Sequence, residues 1–170
     1  MNFRKMKSEE FGEVYQLMEQ SFDPCEFRTY QKAKELLKDS RYQVYVMKEK
    51  ETLQAFLAEW KFDEINFVEH LAVNPSIRGK GLGSKVMKNY LEEMDQPVIL
   101  EVEDKQSLLA KKRIEFYKKL GFGLSDITYV QPSLQEVKDE VELRLMHYPS
   151  DISKRELIEF KQELFEKVYA

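Results

Sequence analysis

Val73-Asn74-Pro75-Ser76-Ile77-Arg78-Gly79-Lys80-Gly81-Leu82-Gly83-Ser84 is the most informative run in this sequence. An apolar, strand-like segment, Ile65 to Val73, leads into it. A helical pattern follows, with Leu82, Val86, Met87, Tyr90, Leu91 and Met94 on one stripe. Between the two lie three glycines in five residues, flanked by Arg78 and Lys80. A glycine-rich turn that opens a helix leaves the first helical N–H groups without intrahelical partners. Glycine lets a ligand approach that backbone closely, and the helix dipole favours negative charge there. Arg78 and Lys80 add formal positive charge, so the expected guest is a phosphate or pyrophosphate. The P-loop pattern fails, because Gly83 is followed by Ser84 rather than lysine. The dinucleotide fingerprint GxGxxG fails as well, since the spacing here is G-x-G-x-G.

Outward from this loop the chain reads as alternating elements. Met1 to Lys5 is a weak first strand. Ser8 offers an N-cap to a helix with Phe11, Val14, Tyr15, Leu17 and Met18 on its apolar face, broken at Asp23-Pro24. A second helix is expected from about Arg28 to Lys38. Tyr42 to Met47 and Leu53 to Phe62 form a hairpin, and Ile65 to Val73 extends it into an antiparallel meander. Beyond the loop helix, Asp95-Gln96-Pro97 is a stop and Val98 to Glu103 a short strand. Strand, helix, strand over this length predicts a parallel pair with a right-handed crossover. Ser107 to Leu120 is helical and ends at Gly121, a C-cap; Phe122 to Val130 and Val141 to His147 are strand-like. Ser153-Lys154-Arg155-Glu156 is a capping box opening a last helix that carries Leu157, Ile158, Phe160, Leu164, Phe165 and Val168. This gives one mixed α/β domain over residues 1–149 and a helical extension over residues 150–170.

Composition narrows the classes. At 170 residues the chain holds one domain with a real core. A net charge of −4 argues against a nucleic-acid partner. No apolar run approaches the roughly 20 residues that span a bilayer, and the amino-terminal residues lack a signal-peptide core. One cysteine, Cys25, excludes a disulfide framework and a zinc cluster, so no metal is expected. A cytoplasmic location is the expectation.

Arg78-x-x-Gly81-x-Gly83 resembles the acyl-CoA pyrophosphate loop of the GNAT superfamily of N-acetyltransferases. Phe116-Tyr117-Lys118-Lys119-Leu120-Gly121-Phe122 matches the Y-x-x-x-G-F segment that follows this loop in the family. The motifs stand in the right order with a strand between them, and the resemblance covers roughly residues 1–147. It implies a central, mostly antiparallel mixed sheet, one parallel pair splayed at the cofactor cleft, and helices on both faces. The last helix is extra. It implies acetyl-CoA as co-substrate, with Leu71, Ala72 and Val73 hydrogen-bonding the pantetheine arm as an added strand would. Arg78, Gly79, Lys80, Gly81, Leu82, Gly83 and Ser84 would hold the pyrophosphate through backbone N–H groups. A primary amine then attacks the thioester through a tetrahedral intermediate, and a backbone N–H can stabilise its oxyanion.

Tyr117 occupies the place of the family's general-acid tyrosine, and a phenol is protonated at neutral pH. As a plain residue it is also an amphipathic aromatic three positions after Ile114. Glu69 is the candidate base. Strict alternation places it on one face with Phe67, Leu71 and Val73, so either that face lines a wet cleft or a bulge redirects it. Glu101 and Glu103 share a face of the next strand and would attract a cationic substrate. His70, opposite Glu69 by alternation, reads as packing or hydrogen bonding; His147 reads as structural, and Cys25 as no nucleophile. Lys111-Lys112-Arg113 is a solvated helix face. Where many members carry Asn and Ala ahead of the motif tyrosine, this chain has Ala110 and Arg113, so the amide contact to the cofactor is lost and Arg113 either substitutes for it or points elsewhere.

The expected activity is acetyl transfer to a primary amine of a small cationic molecule or a peptide. The alternative is a non-catalytic acyl-CoA sensor. Residues 22–41 and the segment Tyr129 to Asp139 would shape the acceptor site. The apolar final helix must bury against the domain's own sheet or against a second copy in a homodimer.

Overall fold

The computed structural model describes residues 2–135 and 140–169. Its strands are β1 (Asn2–Lys5), β2 (Tyr42–Glu49), β3 (Thr52–Lys61), β4 (Asn66–Val73), β5 (Val98–Glu103), β6 (Gly123–Val130) and β7 (Glu142–Tyr148). Its helices are α1 (Phe11–Ser21), α2 (Tyr30–Leu36), α3 (Leu82–Glu92), α4 (Leu108–Lys119) and α5 (Lys154–Lys167). The strands make one seven-stranded sheet in the order β1-β2-β3-β4-β5-β7-β6. Only β4 and β5 run parallel; the other pairs are antiparallel. The meander and the crossover through α3 are therefore as the periodicity predicts.

Two details near the amino terminus differ from expectation. Ser8 is not an N-cap: Ser8–Glu10 is a 3-10 turn running into α1. Glu10 turns its carboxylate back to accept from the Lys7 N–H and from Arg4, an ion pair that draws the chain into this tighter turn. α2 is shorter than expected, because Thr29 caps it through a bond from the Lys32 N–H, leaving Arg28 outside the helix.

The two faces of the sheet carry separate cores. On one face α1, α2 and α5 cover Val44, Phe56, Trp60, Phe67, Ile99 and Leu145. On the other, α3 and α4 cover Leu57, Val68, Val98, Leu100 and Met146. α5 belongs to the first core: Leu157, Phe160, Leu164 and Val168 are all buried within this chain. Burial of each such side chain is worth about 1.5–3 kcal/mol. Of the stripe that raised a second copy as its cover, these four side chains lie in the protein's own core, while Ile158 is 44% exposed. Ser153 caps the helix, accepting from the Glu156 N–H.

β4 slips in phase partway along. Ala58 pairs with His70 and Glu59 with Val68, so Glu69 is an extra residue in a bulge. Before the bulge Phe67 faces the α1 side; after it Ala72 does, while Leu71 and Val73 face α3 and α4. The simple alternation that grouped Glu69 with Leu71 and Val73 and set His70 opposite therefore fails. A bulge brings two consecutive side chains onto one side, and Glu69 Oε2 lies 3.2 Å from His70 Nδ1.

Candidate active site

The parallel pairing of β4 and β5 stops at Val68 and Leu100. Beyond that point the strands separate and open a cavity of about 710 Å³. It is lined on one side by Leu71 to Val73, Arg78 to Ser84 except Lys80, and Arg113, Phe116 and Tyr117. On the other side it is lined by Phe22, Glu26, Glu69, His70, Glu101, Glu103 and Gln131. Each end needs its own account.

At the first end the glycine loop begins α3. Gly79 and Gly81 have φ of 83° and 75°, a left-handed backbone that side chains resist. Gly81 is the N-cap residue and offers no side chain to the first turn, so those N–H groups face the cavity side uncapped. Gly83 has ordinary backbone angles; a Cβ there would meet the Phe116 ring at 3.4 Å and Val73 Cγ2 at 3.7 Å, ordinary van der Waals contact, which marks where the loop and the α4 motif touch. Arg78 folds back, donating from Nε to the Val73 carbonyl at 3.1 Å and reaching Ser21 Oγ at 3.4 Å. Arg78 thus closes the loop with its side chain.

These residues fit the diphosphate and pantetheine of acetyl-CoA on the structure's own terms. Uncapped N–H groups at a helix mouth suit an anion. Leu71 to Val73 pair with β3 on one edge, and no β5 residue pairs with them on the other.

Tyr117 lies where the ends meet, packed against the rings of Phe116 and Phe122 at 5.0 and 5.5 Å. Burial pushes its phenol up to about 12, with Arg113 pulling partly the other way. It is therefore protonated, and a proton donor, at any physiological pH.

At the second end two glutamates sit on neighbouring strands in opposite electrostatic states. Glu69 accepts two bonds from Arg28, at 2.7 and 3.1 Å, and one from Trp60 Nε1 at 2.9 Å. Burial alone would keep its proton on, but Arg28, then His70 and Trp60, outweigh burial and hold its pKa near 2. Among the described residues Glu101 has no cationic partner of this kind. It accepts from the hydroxyl of Tyr129 on β6 and, at 2.6 Å, from that of Tyr169 just past α5. Burial raises its pKa to about 7; the two phenols restrain the rise, and the charges of Glu69 and Glu26 add to it.

Glu26, too, is pushed up to about 7 by burial and by Glu103 and Asp23, with Arg113 opposing. Carboxylate oxygens of Asp23, Glu26 and Glu103 lie within 4.8 Å of one another at this mouth. His70 Nε2 lies 2.8 Å from the Glu26 carbonyl, which only accepts, so that nitrogen carries the hydrogen. Burial lowers the His70 pKa, and the charge of Glu69 opposes it.

Of the expected acceptor-shaping regions, residues 22–41 supply Phe22, Glu26 and Arg28, and the later segment supplies Tyr129 and Gln131. Residues 136–139 of that segment lie outside the described residues. Arg28, Tyr129 and Tyr169 carried no local signal: each acts on a glutamate 41, 28 and 68 positions away. The one hint was general, since a carboxylate in a central strand demands a partner.

The uncapped helix mouth, the half-buried Tyr117 phenol and the carboxylate of Glu101 lie along one cleft. The chain belongs to the Acetyltransferase (GNAT) family, whose model matches residues 9–122. A protein described as a GNAT-family acetyltransferase from Bacteroides thetaiotaomicron is 27% identical, with a TM-score of 0.89 over 99% of this chain and 98% of that one. The ribosomal-protein-S18-alanine N-acetyltransferase from Escherichia coli is 16% identical, TM-score 0.68, covering 90% and 96%. A mutant spermidine N-acetyltransferase from Vibrio cholerae is 13% identical, TM-score 0.66, covering 86% and 94%. No curated protein matches this sequence. Among the described residues no helix is long and apolar enough to cross a membrane.

Proposed function

We propose that this protein transfers an acetyl group from acetyl-CoA to a primary amine of a small cationic molecule in the cytoplasm. Acetyl-CoA, when bound, supplies a thioester carbonyl activated for attack by an amine. The observation that carries the reading is the continuity of one cavity from the Gly79–Ser84 helix mouth to the carboxylates of Glu26, Glu101 and Glu103. Backbone N–H groups of Gly79 to Ser84 hold the diphosphate, with Arg78 and Lys80 adding positive charge. The free edge of Leu71, Ala72 and Val73 takes the pantetheine arm as an added strand.

An incoming ammonium must lose a proton before it attacks. Glu69 was the first candidate for that task, but its charge is committed to Arg28, and a carboxylate held near 2 is too weak a base. We assign the base to Glu101, whose pKa of about 7 suits proton removal near neutrality. Glu69 instead anchors Arg28 and Trp60 in the wall. Tyr117 keeps its proton up to about 12 and delivers it to the departing sulfur. The acidic mouth of Asp23, Glu26 and Glu103 attracts the acceptor's positive charge. The family's members named above act on acceptors as different as a protein alanine and spermidine, so the acceptor class rests on this chain's own acidic lining.

Thiol release from acetyl-CoA with a panel of mono- and diamines tests the reading. Tyr117→Phe should lower kcat by about 10²–10⁴-fold while calorimetry finds acetyl-CoA affinity retained. If the cofactor binds and no amine is ever acetylated, the protein is an acyl-CoA sensor instead. If calorimetry finds no binding, both readings fall.

A further inference from the structure

We infer that Tyr169, brought to the acceptor end by α5, is a positioning residue that holds and tunes Glu101. The inference rests on the reading of Glu101 as the base, and it gives the extra helix a part in the reaction.

The geometry is specific. The two oxygens of the Glu101 carboxylate are divided between two phenols from separate elements: Tyr129 takes Oε2 and Tyr169 takes Oε1. Two donors on two oxygens fix the plane of the carboxylate, which a single bond would leave free to turn. Tyr169 is itself held in place. Its N–H bonds the Leu164 carbonyl at 3.1 Å, and its ring stands edge-on to Phe165, which in turn meets Tyr129. The rest of α5 is anchored by Leu157, Phe160 and Leu164 in the sheet core. Tyr169 is thus delivered by a packed helix.

Among the described residues, each element packed around Glu101 presents its own groups. β4 presents Glu69, neutralised by Arg28. The turn before α2 presents Glu26, and Glu101's own strand carries Glu103. β6 presents Tyr129, over whose ring Lys161 of α5 lies at 5.4 Å. β7 contributes the apolar Leu143 and Leu145. Among these, only the two phenols donate hydrogen bonds to Glu101, and a bond to the charged form of an acid favours that form. Removing one phenol hydroxyl therefore makes Glu101 harder to ionise, so that it works as a base only at higher pH.

Tyr169→Phe keeps the ring and its packing and deletes only the donor. The experiment records kcat against pH for wild type, Tyr169→Phe, Tyr129→Phe and Glu101→Gln with one amine, both substrates saturating, so the amine's own ionisation cancels in the ratios. Melting temperature and acetyl-CoA affinity monitor the fold. The acid limb of Tyr169→Phe should move up by about one pH unit, giving about tenfold less activity than wild type at pH 6 and a gap that closes towards pH 9. Tyr129→Phe should move the same limb in the same direction. A limb that stays in place while Glu101→Gln is inactive overturns the role of Tyr169 and leaves Glu101 as the base. A fully active Glu101→Gln overturns the base assignment itself, and this inference with it.

Discussion

Arg28 and the pair Tyr129 and Tyr169 give two like carboxylates opposite fates. Glu69 and Glu101 both line the cavity half-buried, and burial by itself raises a carboxylate's pKa. Around Glu69 a guanidinium with only 12% of its side chain exposed reverses that tendency. Around Glu101 neutral hydroxyls merely restrain it. One glutamate becomes a permanent anion that builds the wall; the other keeps a proton available near neutral pH. Taking Arg28 away leaves an uncompensated charge inside the protein. Arg28→Ala should therefore cost about 3–5 kcal/mol of unfolding free energy, read from urea denaturation. Adding Glu69→Gln to that variant should recover part of the loss, because the orphaned charge is then gone.

Helix α3 and its entry loop act as a unit, and Gly79 and Gly81 are required there by backbone angle. Gly81 has φ of 75° and nothing within 4 Å of where a Cβ would go. Gly81→Ala thus meets no clash, but the left-handed conformation costs a side chain about 1–2 kcal/mol. The loop relieves that cost by changing its angles, which turns the first N–H groups away from the ligand. Affinity for acetyl-CoA, measured by calorimetry, should fall about tenfold, the equivalent of 1.4 kcal/mol. Gly12→Ala is the matched control: it lies in α1, has ordinary angles, and equally has open space around it. That change should leave cofactor affinity untouched. Helix α5 shows the converse case, an element whose amphipathic stripe was plain in the sequence while its destination was not. Leu164 is 1% exposed, in the core that α1 and α2 share, so the helix closes its own domain.

The molecule as a whole carries these site charges into its stability. Glu69 folds to a pKa near 2 from an unfolded value of about 4.3, so its contribution is fully present above about pH 4.3 and is lost as pH falls towards 2. Glu26 and Glu101 go the other way, each to about 7. Between about pH 4.3 and pH 7 the unfolded chain binds fewer protons than the folded one at these sites, so stability declines as pH rises. Unfolding followed at a series of pH values should show that decline above about pH 5. Glu101→Gln, which mimics the protonated acid, should flatten it. A variant whose decline matches wild type would mean that Glu101 ionises in the folded state as easily as in the unfolded one.

What the sequence determined alone is whatever its short-range order encodes. The period of apolar residues set the strands and helices, and the glycines between β4 and α3 marked the anion-binding helix mouth. The Phe116 to Phe122 segment pointed to Tyr117 at the cleft through its resemblance to the family motif. These features depend on backbone angles and on spacing within a few residues, which any reader of the chain can count. Tertiary structure alone decided which glutamate stays ionisable near neutral pH, and so which one we propose as the base. A pKa answers to whatever stands within a few ångströms, and here those neighbours come from Arg28, Tyr129 and Tyr169, far away along the chain. The bulge at Glu69 belongs with them, because a one-residue slip is defined only against the partner strand.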